Sequence, residues 1–192
     1  MAQGYVQPMG RKSAEDVARN YIHELFNMSL IQFVNGKYVL HDLLHDLGHL
    51  ILQHDYHMMG CDLVQRVPED AHFKRHLLSV VIALEKSYKF RSVRSLLIQP
   101  SHFTFKGESQ VLHNLFGTMK CLRMLDLSYC GFETLPDSIG CLKHLRYLDL
   151  RKTPIKCLPE SLCALYKLQT LKLEGCEQLN ILPKGMSNLI SL

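Results

Sequence analysis

The run Leu122-x-x-Leu125-x-Leu127-x-x-Cys130 decides the fold, because the same pattern returns twice in register. The later copies are Leu145-x-x-Leu148-x-Leu150-x-x-Thr153 and Leu168-x-x-Leu171-x-Leu173-x-x-Cys176. Their first leucines are evenly spaced, and Leu192 opens a fourth copy after a spacing longer by a single position. Self-similarity at such a period predicts a stack of equivalent units, each of which adds one strand.

Alternation within the pattern predicts which side chains are buried. In a strand, Leu125 and Leu127 point to one face, and Met124, Asp126 and Ser128 point to the other. We expect the leucines to form the core and the intervening residues to line the exposed, concave face. The return of each unit carries two apolar residues three apart, which suits a short 3₁₀ turn. These pairs are Ile139/Leu142, Leu162/Leu165 and Met186/Leu189.

The last position of the pattern is small in all three copies, where Cys130, Thr153 and Cys176 stand. We expect these side chains to satisfy turning backbone amides, a structural role. The whole pattern resembles the leucine-rich-repeat signature, which implies parallel strands stacked into a curved solenoid.

Composition limits the remaining classes of protein. The chain has 192 residues, is 47% hydrophobic and carries a net charge of +4, and the sequence contains no concentrated basic run. It has neither an apolar run of about 20 residues nor a secretory pattern, so we expect no membrane span and a location in the cytoplasm, with the nucleus as the alternative. Seven cysteines without a C-x-x-C pair favour reduced thiols, and we expect most of them to be buried.

The N-terminal part predicts a different architecture. Ser13 to Asp16 form a capping-box pattern ahead of apolar residues at helical spacing. Asn35-Gly36 between two β-prone runs predicts a hairpin. A leucine stripe then predicts a helix from His41 to Leu52. The order of helix, β-hairpin and helix is typical of the end of a winged-helix domain.

Three segments make a specific resemblance. They are Ser13-Ala14-Glu15-Asp16-Val17, Tyr21-Ile22-His23-Glu24-Leu25 and Tyr38-Val39-Leu40-His41-Asp42-Leu43-Leu44-His45-Asp46-Leu47. Together they resemble the end of the nucleotide-binding module (NB-ARC) of plant intracellular nucleotide-binding leucine-rich-repeat (NLR) disease-resistance proteins, in which a Met-His-Asp motif follows the wing. The resemblance implies that His41 faces the β-phosphate of bound ADP and that Asp42 holds the module closed. Leu40 replaces the methionine of that motif.

A phosphate-binding G-x-x-x-x-G-K-[ST] loop does not occur in the sequence. We therefore expect no cofactor in this chain, although intact members of the family bind ADP or ATP. The missing loop, the missing first helices of the winged helix and the open last repeat lead us to expect a fragment or the product of a truncated gene.

These patterns predict an α/β fold, a leucine-rich-repeat solenoid preceded by a partial winged-helix element. We expect the winged-helix part at residues 1–60, a junction with irregular repeats at 61–121 and regular repeats at 122–192. Within the junction, the segments 75–81 and 93–98 have the composition of strands, and a loop with a short helix is expected between Pro100 and Gly117.

The predicted function is that of a disease-resistance immune receptor fragment that acts through protein–protein interaction in plant defence and is not an enzyme. The expected partners are other receptor modules, or pathogen-derived or guarded proteins. The predicted contact surface is a mixed-charge array on the concave strand face, made of Met124, Asp126, Ser128, Tyr147, Asp149, Arg151, Thr170, Lys172 and Glu174.

Two alternatives from other classes stay open. A winged helix can read DNA, but the predicted helix from His41 carries Asp42 and Asp46 and no Lys or Arg, so it lacks the cations that contact with phosphates needs. A His-rich metal site is the second alternative, because His41, His45 and His49 share one helical face. The position expected for a further zinc ligand is Ile51, which cannot bind a metal.

Overall fold

The computed structural model describes residues 5–34, 37–41, 44, 47, 56–58, 76–78, 91–98 and 109–192. The chain divides into two compact units, Met1–His54 and Asp55–Leu192. Among the helices described, none is long and apolar enough to cross a membrane.

The first unit begins with helix α1, Ala14–Asn27. Ser13 caps it as predicted: its Oγ accepts a hydrogen bond from the Asp16 amide at 3.1 Å, and Asp16 Oδ2 accepts one from the Ser13 amide at 3.2 Å. The box satisfies backbone N–H groups that have no partner within the helix. The hydrogen bonds from Ser13 lower the pKa of the Asp16 carboxyl, since they favour its ionised form.

A hairpin follows the helix. Strand β1, Ile31–Val34, pairs antiparallel with β2, Lys37–Leu40, and Phe33 stands opposite Tyr38 with ring centroids 4.9 Å apart. The two-residue connection agrees with the predicted hairpin, although Asn35 and Gly36 themselves lie outside the described residues. Leu44 and Leu47 are helical, and the rest of the helix predicted to begin at His41 lies outside the described residues.

The second unit is built on a six-stranded parallel sheet in which sequence order equals spatial order. Its strands are β3 (Tyr56–Met58), β4 (His76–Leu78), β5 (Ser95–Leu97), β6 (Met124–Asp126), β7 (Tyr147–Asp149) and β8 (Thr170–Lys172). Leu125, Leu148 and Leu171 are directly in register on adjacent strands. This arrangement confirms the predicted solenoid.

Stacking of the repeats buries the leucines of the pattern. Leu125, Leu127, Leu148 and Leu150 are fully buried. Leu171 and Leu173 of the third repeat are only partly buried against the same core. Each leucine is therefore covered by the neighbouring repeats more than by its own, as expected for a solenoid.

The returning segments lie behind the sheet and are 3₁₀ turns in the three regular repeats, as predicted. They span Asp137–Cys141, Glu160–Ala164 and Lys184–Asn188. Between β5 and β6 the longer helix α2, Ser109–Thr118, occupies the equivalent place and packs on the first of these turns. A ten-residue helix instead of a five-residue turn accounts for the longer spacing ahead of the first regular repeat.

Strands β4 and β5 confirm the two strands predicted in the junction. Strand β3 differs from the prediction, because residues 1–60 were assigned to the winged-helix part, whereas Tyr56–Met58 pairs with β4 in the solenoid sheet. The contact boundary falls at His54–Asp55. The residues of β3, Tyr-His-Met, include no leucine and carry no repeat signal from which this strand could have been recognised.

One backbone position adopts the left-handed conformation in every regular repeat. Tyr129, Lys152 and Gly175 have φ of 61°, 56° and 73° and occupy the same place in successive repeats. Only glycine adopts this conformation without a steric penalty from its Cβ. The turn after each strand therefore has the same shape, although only the third repeat carries the residue best suited to it.

We predict that Gly175→Ala lowers the free energy of unfolding by about 1 kcal/mol or more, since alanine is strained at positive φ. Its Cβ would also lie 2.5 Å from Cδ of Lys152, which must move. The matched control is Gly117→Ala in α2, where a Cβ meets no atom within 4 Å and should raise stability by about 0.5–1 kcal/mol. Urea unfolding of both variants checks the opposite signs, and a Gly175→Ala variant as stable as the parent contradicts the account.

Candidate interaction surface

Three neighbouring strands bring the predicted contact residues together. Parallel register places Met124, Tyr147 and Thr170 in one row, and Asp126, Asp149 and Lys172 in the next. Adjacent strands are about 4.8 Å apart, so residues that are a full repeat apart in sequence become neighbours. Ser128, Arg151 and Glu174 follow at the ends of the strands and complete the array.

Asp149 organises the centre of this surface. Its carboxylate accepts hydrogen bonds from Arg151 Nε at 2.9 and 3.0 Å, from Arg151 Nη2 at 2.7 Å and from the Tyr147 hydroxyl at 3.0 Å. The backbone amide of Arg151 also donates to it at 3.1 Å. A planar guanidinium held at two nitrogens has few orientations left, so Arg151 and Tyr147 are positioned before any partner binds.

Burial and hydrogen bonding shift the pKa of Asp149 in opposite directions. Burial alone would raise the pKa of Asp149, but the hydrogen bonds from Arg151 and Tyr147 outweigh it and lower the pKa of the carboxyl. Burial, followed by the hydrogen bond to Asp149, raises the pKa of Tyr147 well above its usual range. The hydrogen bond to Asp149 likewise raises the pKa of Arg151. Asp149 is thus ionised and Tyr147 and Arg151 are protonated at neutral pH.

The third repeat reverses the charges of the second. Lys172 stands in the row of Asp149, and its Nζ lies 5.7 Å from the centroid of the Tyr147 ring, within cation–π range. Glu174 stands beside Arg151, with 3.9 Å between Oε2 and Nε. Such an exposed pair contributes little stability, but it brings opposite charges together on the surface.

The residues of the predicted contact surface differ in burial. Asp149 was predicted to contact partners, yet its side chain is fully buried, and its carboxylate is bonded to Tyr147 and Arg151. Asp126 is partly buried, and its Oδ1 accepts a hydrogen bond from the Ser128 amide at 2.9 Å. The alternation pattern of a strand cannot predict the burial of Asp149, because that burial depends on where the side chains of Tyr147 and Arg151 lie.

His41 is exposed, and its amide donates to the Leu30 carbonyl at 3.1 Å. Its own carbonyl accepts from the Leu44 amide at 2.9 Å, so His41 precedes the helical residues. Asp42, His45 and His49 lie outside the described residues. The ADP-sensing role of His41 and Asp42 and the alternative metal site both stay predictions.

Two of the three small residues at the end of the repeat pattern, Thr153 and Cys176, bond to the turning backbone, but to a carbonyl instead of the predicted amides. The Thr153 hydroxyl donates to the Leu150 carbonyl at 2.7 Å, and the Cys176 thiol donates to the same oxygen at 3.0 Å. The Leu150 amide is already bonded to Lys172, so the carbonyl is the group that needs partners. The six cysteines among the described residues are free thiols, but only Cys130 is buried, so the prediction that most of them are buried is wrong for these residues.

Comparison with known proteins agrees with this architecture. A model described as leucine-rich repeat region matches residues 77–192, and one described as disease resistance protein winged helix domain matches residues 1–48. The chain therefore belongs to the leucine-rich-repeat proteins of the disease-resistance family. The Arabidopsis thaliana protein At3g14460, named as a candidate disease resistance protein, is 33% identical over 185 residues, which is 90% of this chain. The chain spans 13% of the length of that relative.

A solved structure shares the fold of the repeats. The Leptospira interrogans leucine-rich-repeat protein LIC12759 has a TM-score of 0.56 at 20% identity, covering 76% of this chain and 38% of its own. The leucine-rich-repeat domain of the type III effector XopL has a TM-score of 0.48 at 18% identity over 97% of this chain and 67% of its own. At 20% identity, the likeness to LIC12759 shows a shared fold and nothing about function.

We predict that the contribution of Asp149 to stability depends on pH with a defined sign. Its pKa is lower in the folded chain than the unfolded value of about 3.9, so its stabilisation is fully present above that value and is lost as the pH falls through the folded pKa. Asp149→Asn should lower the urea midpoint at neutral pH and lose that deficit below about pH 4. A deficit that stays constant down to acidic pH contradicts this assignment.

We also predict an order of thiol reactivity. Cys121, Cys141 and Cys157 are exposed, whereas Cys130 is buried, and burial, with a smaller effect from Asp126, raises the pKa of its thiol to about 12. Thiolate is the reactive form, so Cys130 should react last. Labelling with iodoacetamide followed by peptide mass spectrometry checks the order. Labelling of Cys130 as fast as Cys141 in the folded chain is the contrary result.

Proposed function

We propose that this chain is an interaction module of a plant disease-resistance receptor and binds proteins through the exposed side chains of β6 to β8. The observation that carries the proposal is the buried Asp149 carboxylate, which holds Arg151 and Tyr147 in place. Burying a carboxylate is costly unless donors surround it. A structural role alone would be served at lower cost by an apolar residue, as in the neighbouring core rows.

Positioned side chains favour binding for a thermodynamic reason. Ordering a flexible side chain at an interface costs about 0.5–1.5 kcal/mol, and a side chain that is already held does not incur this cost again. Arginine and tyrosine are also the residue types that most often dominate binding energy at protein interfaces. Tyr147 and Arg151 combine both properties, since they are partly exposed and bonded to Asp149.

The charges around this pair favour a protein partner over a polyanion. Arg151 lies beside Glu174, and Lys172 shares a row with Asp126 and Asp149, so the surface offers both signs within one patch. A partner that matches it must also carry both signs, which is typical of a protein surface. In an intact receptor, we propose that such a partner shifts the population between closed and open states, and that the partner is another receptor module, a guarded protein or a pathogen protein.

The proposal predicts that substitutions on this surface reduce the amount of plant protein that the chain binds. The chain is immobilised and incubated with plant leaf extract, and the proteins retained are quantified for the parent, Arg151→Ala and Lys172→Ala. We expect both variants to lose proteins that the parent retains, since one removes the positioned guanidinium and the other a partly exposed cation on the neighbouring strand. Circular dichroism verifies that each variant is folded.

Lys156→Ala is the matched control. Like Arg151, Lys156 is a cation of the second repeat that forms an ion pair, in this case with Glu133. It lies after the strand and outside the surface. The control should retain the same proteins as the parent. Equal retention by the parent, Arg151→Ala and Lys172→Ala contradicts the proposal.

A further inference from the structure

A second charged feature lies at the opposite end of the strands. The residues just before β6, β7 and β8, at 119–123, 142–146 and 165–169, contain no Asp or Glu. They supply six basic side chains, which we call the basic edge: Lys120, Arg123, Lys143, His144, Arg146 and Lys167. In sequence these basic residues are scattered, so no basic run is visible.

Backbone hydrogen bonds bring them together. The Arg146 amide donates to the Arg123 carbonyl at 2.8 Å, and the Gln169 amide donates to the Arg146 carbonyl at 2.8 Å. The Arg123 amide donates to the Arg94 carbonyl at 2.7 Å, which brings a further arginine into the same row. At about 4.8 Å per strand, the row spans about 14 Å over three steps.

Several of these basic side chains have no counter-charge within the part of the chain that the structure describes. Lys120 and Lys143 are exposed, Arg146 and Lys167 are partly exposed, and none of the four forms an ion pair with another described residue. Lys143 Nζ donates only to the Ala164 carbonyl, at 3.4 Å. Like charges this close reinforce one another's potential, so the edge attracts carboxylates or other anions.

The edge changes character along the stack. The repeat position held by Lys120 and Lys143 is held by Tyr166 in the third repeat and by Ile190 after it, and these side chains are 50% and 85% exposed. Lys167 Nζ lies 5.9 Å from the centroid of the Tyr166 ring. One line of positions therefore runs from cationic to aromatic to aliphatic.

We propose that the basic edge binds an acidic, extended peptide segment of a partner protein, which carries an apolar side chain at the end that reaches Tyr166 and Ile190. The length of the row corresponds to about four extended residues at about 3.3 Å each. A nucleic-acid backbone or an anionic lipid surface offers uniform negative charge, and it has no counterpart for the exposed side chains of Tyr166 and Ile190. This surface is separate from the Asp149-centred surface, so either can fail without the other.

Binding is measured by fluorescence anisotropy on the full chain. The probe is a fluorescein-labelled peptide of alternating aspartate and serine that ends in phenylalanine. We expect saturable binding that weakens as salt rises, because exposed charges are screened over about 10 Å at 0.1 M salt. The triple variant Lys120→Glu/Lys143→Glu/Lys167→Glu should bind at least tenfold more weakly, and replacing the phenylalanine of the probe by serine should weaken binding to the parent.

A charge-matched control separates the edge from net charge. Lys152→Glu/Lys156→Glu/Lys184→Glu changes the charge by the same amount at positions outside the edge and should leave the affinity within twofold of the parent. Absence of saturable peptide binding, or equal loss in both triple variants, overturns the proposal. Tighter binding of a polyuridylate oligonucleotide or of phosphatidylserine vesicles than of the peptide also overturns it. Ile190→Ser provides a test independent of charge, since it should weaken binding of the phenylalanine probe only.

Discussion

Burial of each strand leucine by the adjacent repeat is the constraint on which the rest of this structure depends. Leu125 and Leu148 have strands on both sides and are fully buried, whereas Leu171 is covered from β7 and remains partly exposed. A short three-residue strand cannot bury its own leucines, so it gains stability only through pairing. The sheet is consequently a one-dimensional stack whose stability comes from contacts between nearest neighbours.

The same pairing determines the chemistry of the surfaces. Because the register between strands is constant, every position of the repeat forms a row across the sheet. One end of the strands carries the row of cations, and the other carries the turn that holds Tyr129, Lys152 and Gly175. Asp149 lies between them, and its bonds to Tyr147 and Arg151 make its part of the surface rigid. Core and surface are therefore both consequences of one repeat length.

Sequence patterns predicted the parts of the fold that depend on spacing alone. The constant repeat length was sufficient to predict parallel strands with Leu125, Leu148 and Leu171 in register, and the cap at Ser13 followed from local residue types. Strand β3 could not be predicted, since Tyr56–Met58 carries no leucine pattern. The burial of Asp149 depends on where the side chains of Tyr147 and Arg151 lie, and the basic edge appears only when equivalent residues of successive repeats become neighbours.

The exchange of signs between β7 and β8 gives the stack a direction. Asp126 and Asp149 are adjacent in one row, and the next residue in that row is Lys172. A third carboxylate there would repel Asp149 across the strands, whereas the lysine places an opposite charge beside it. The three repeats are therefore not interchangeable building blocks. Copying the second repeat into the third place would keep every core position apolar and would still put a third carboxylate next to Asp149, so exchange of such units is limited by polar neighbours as well as by the core.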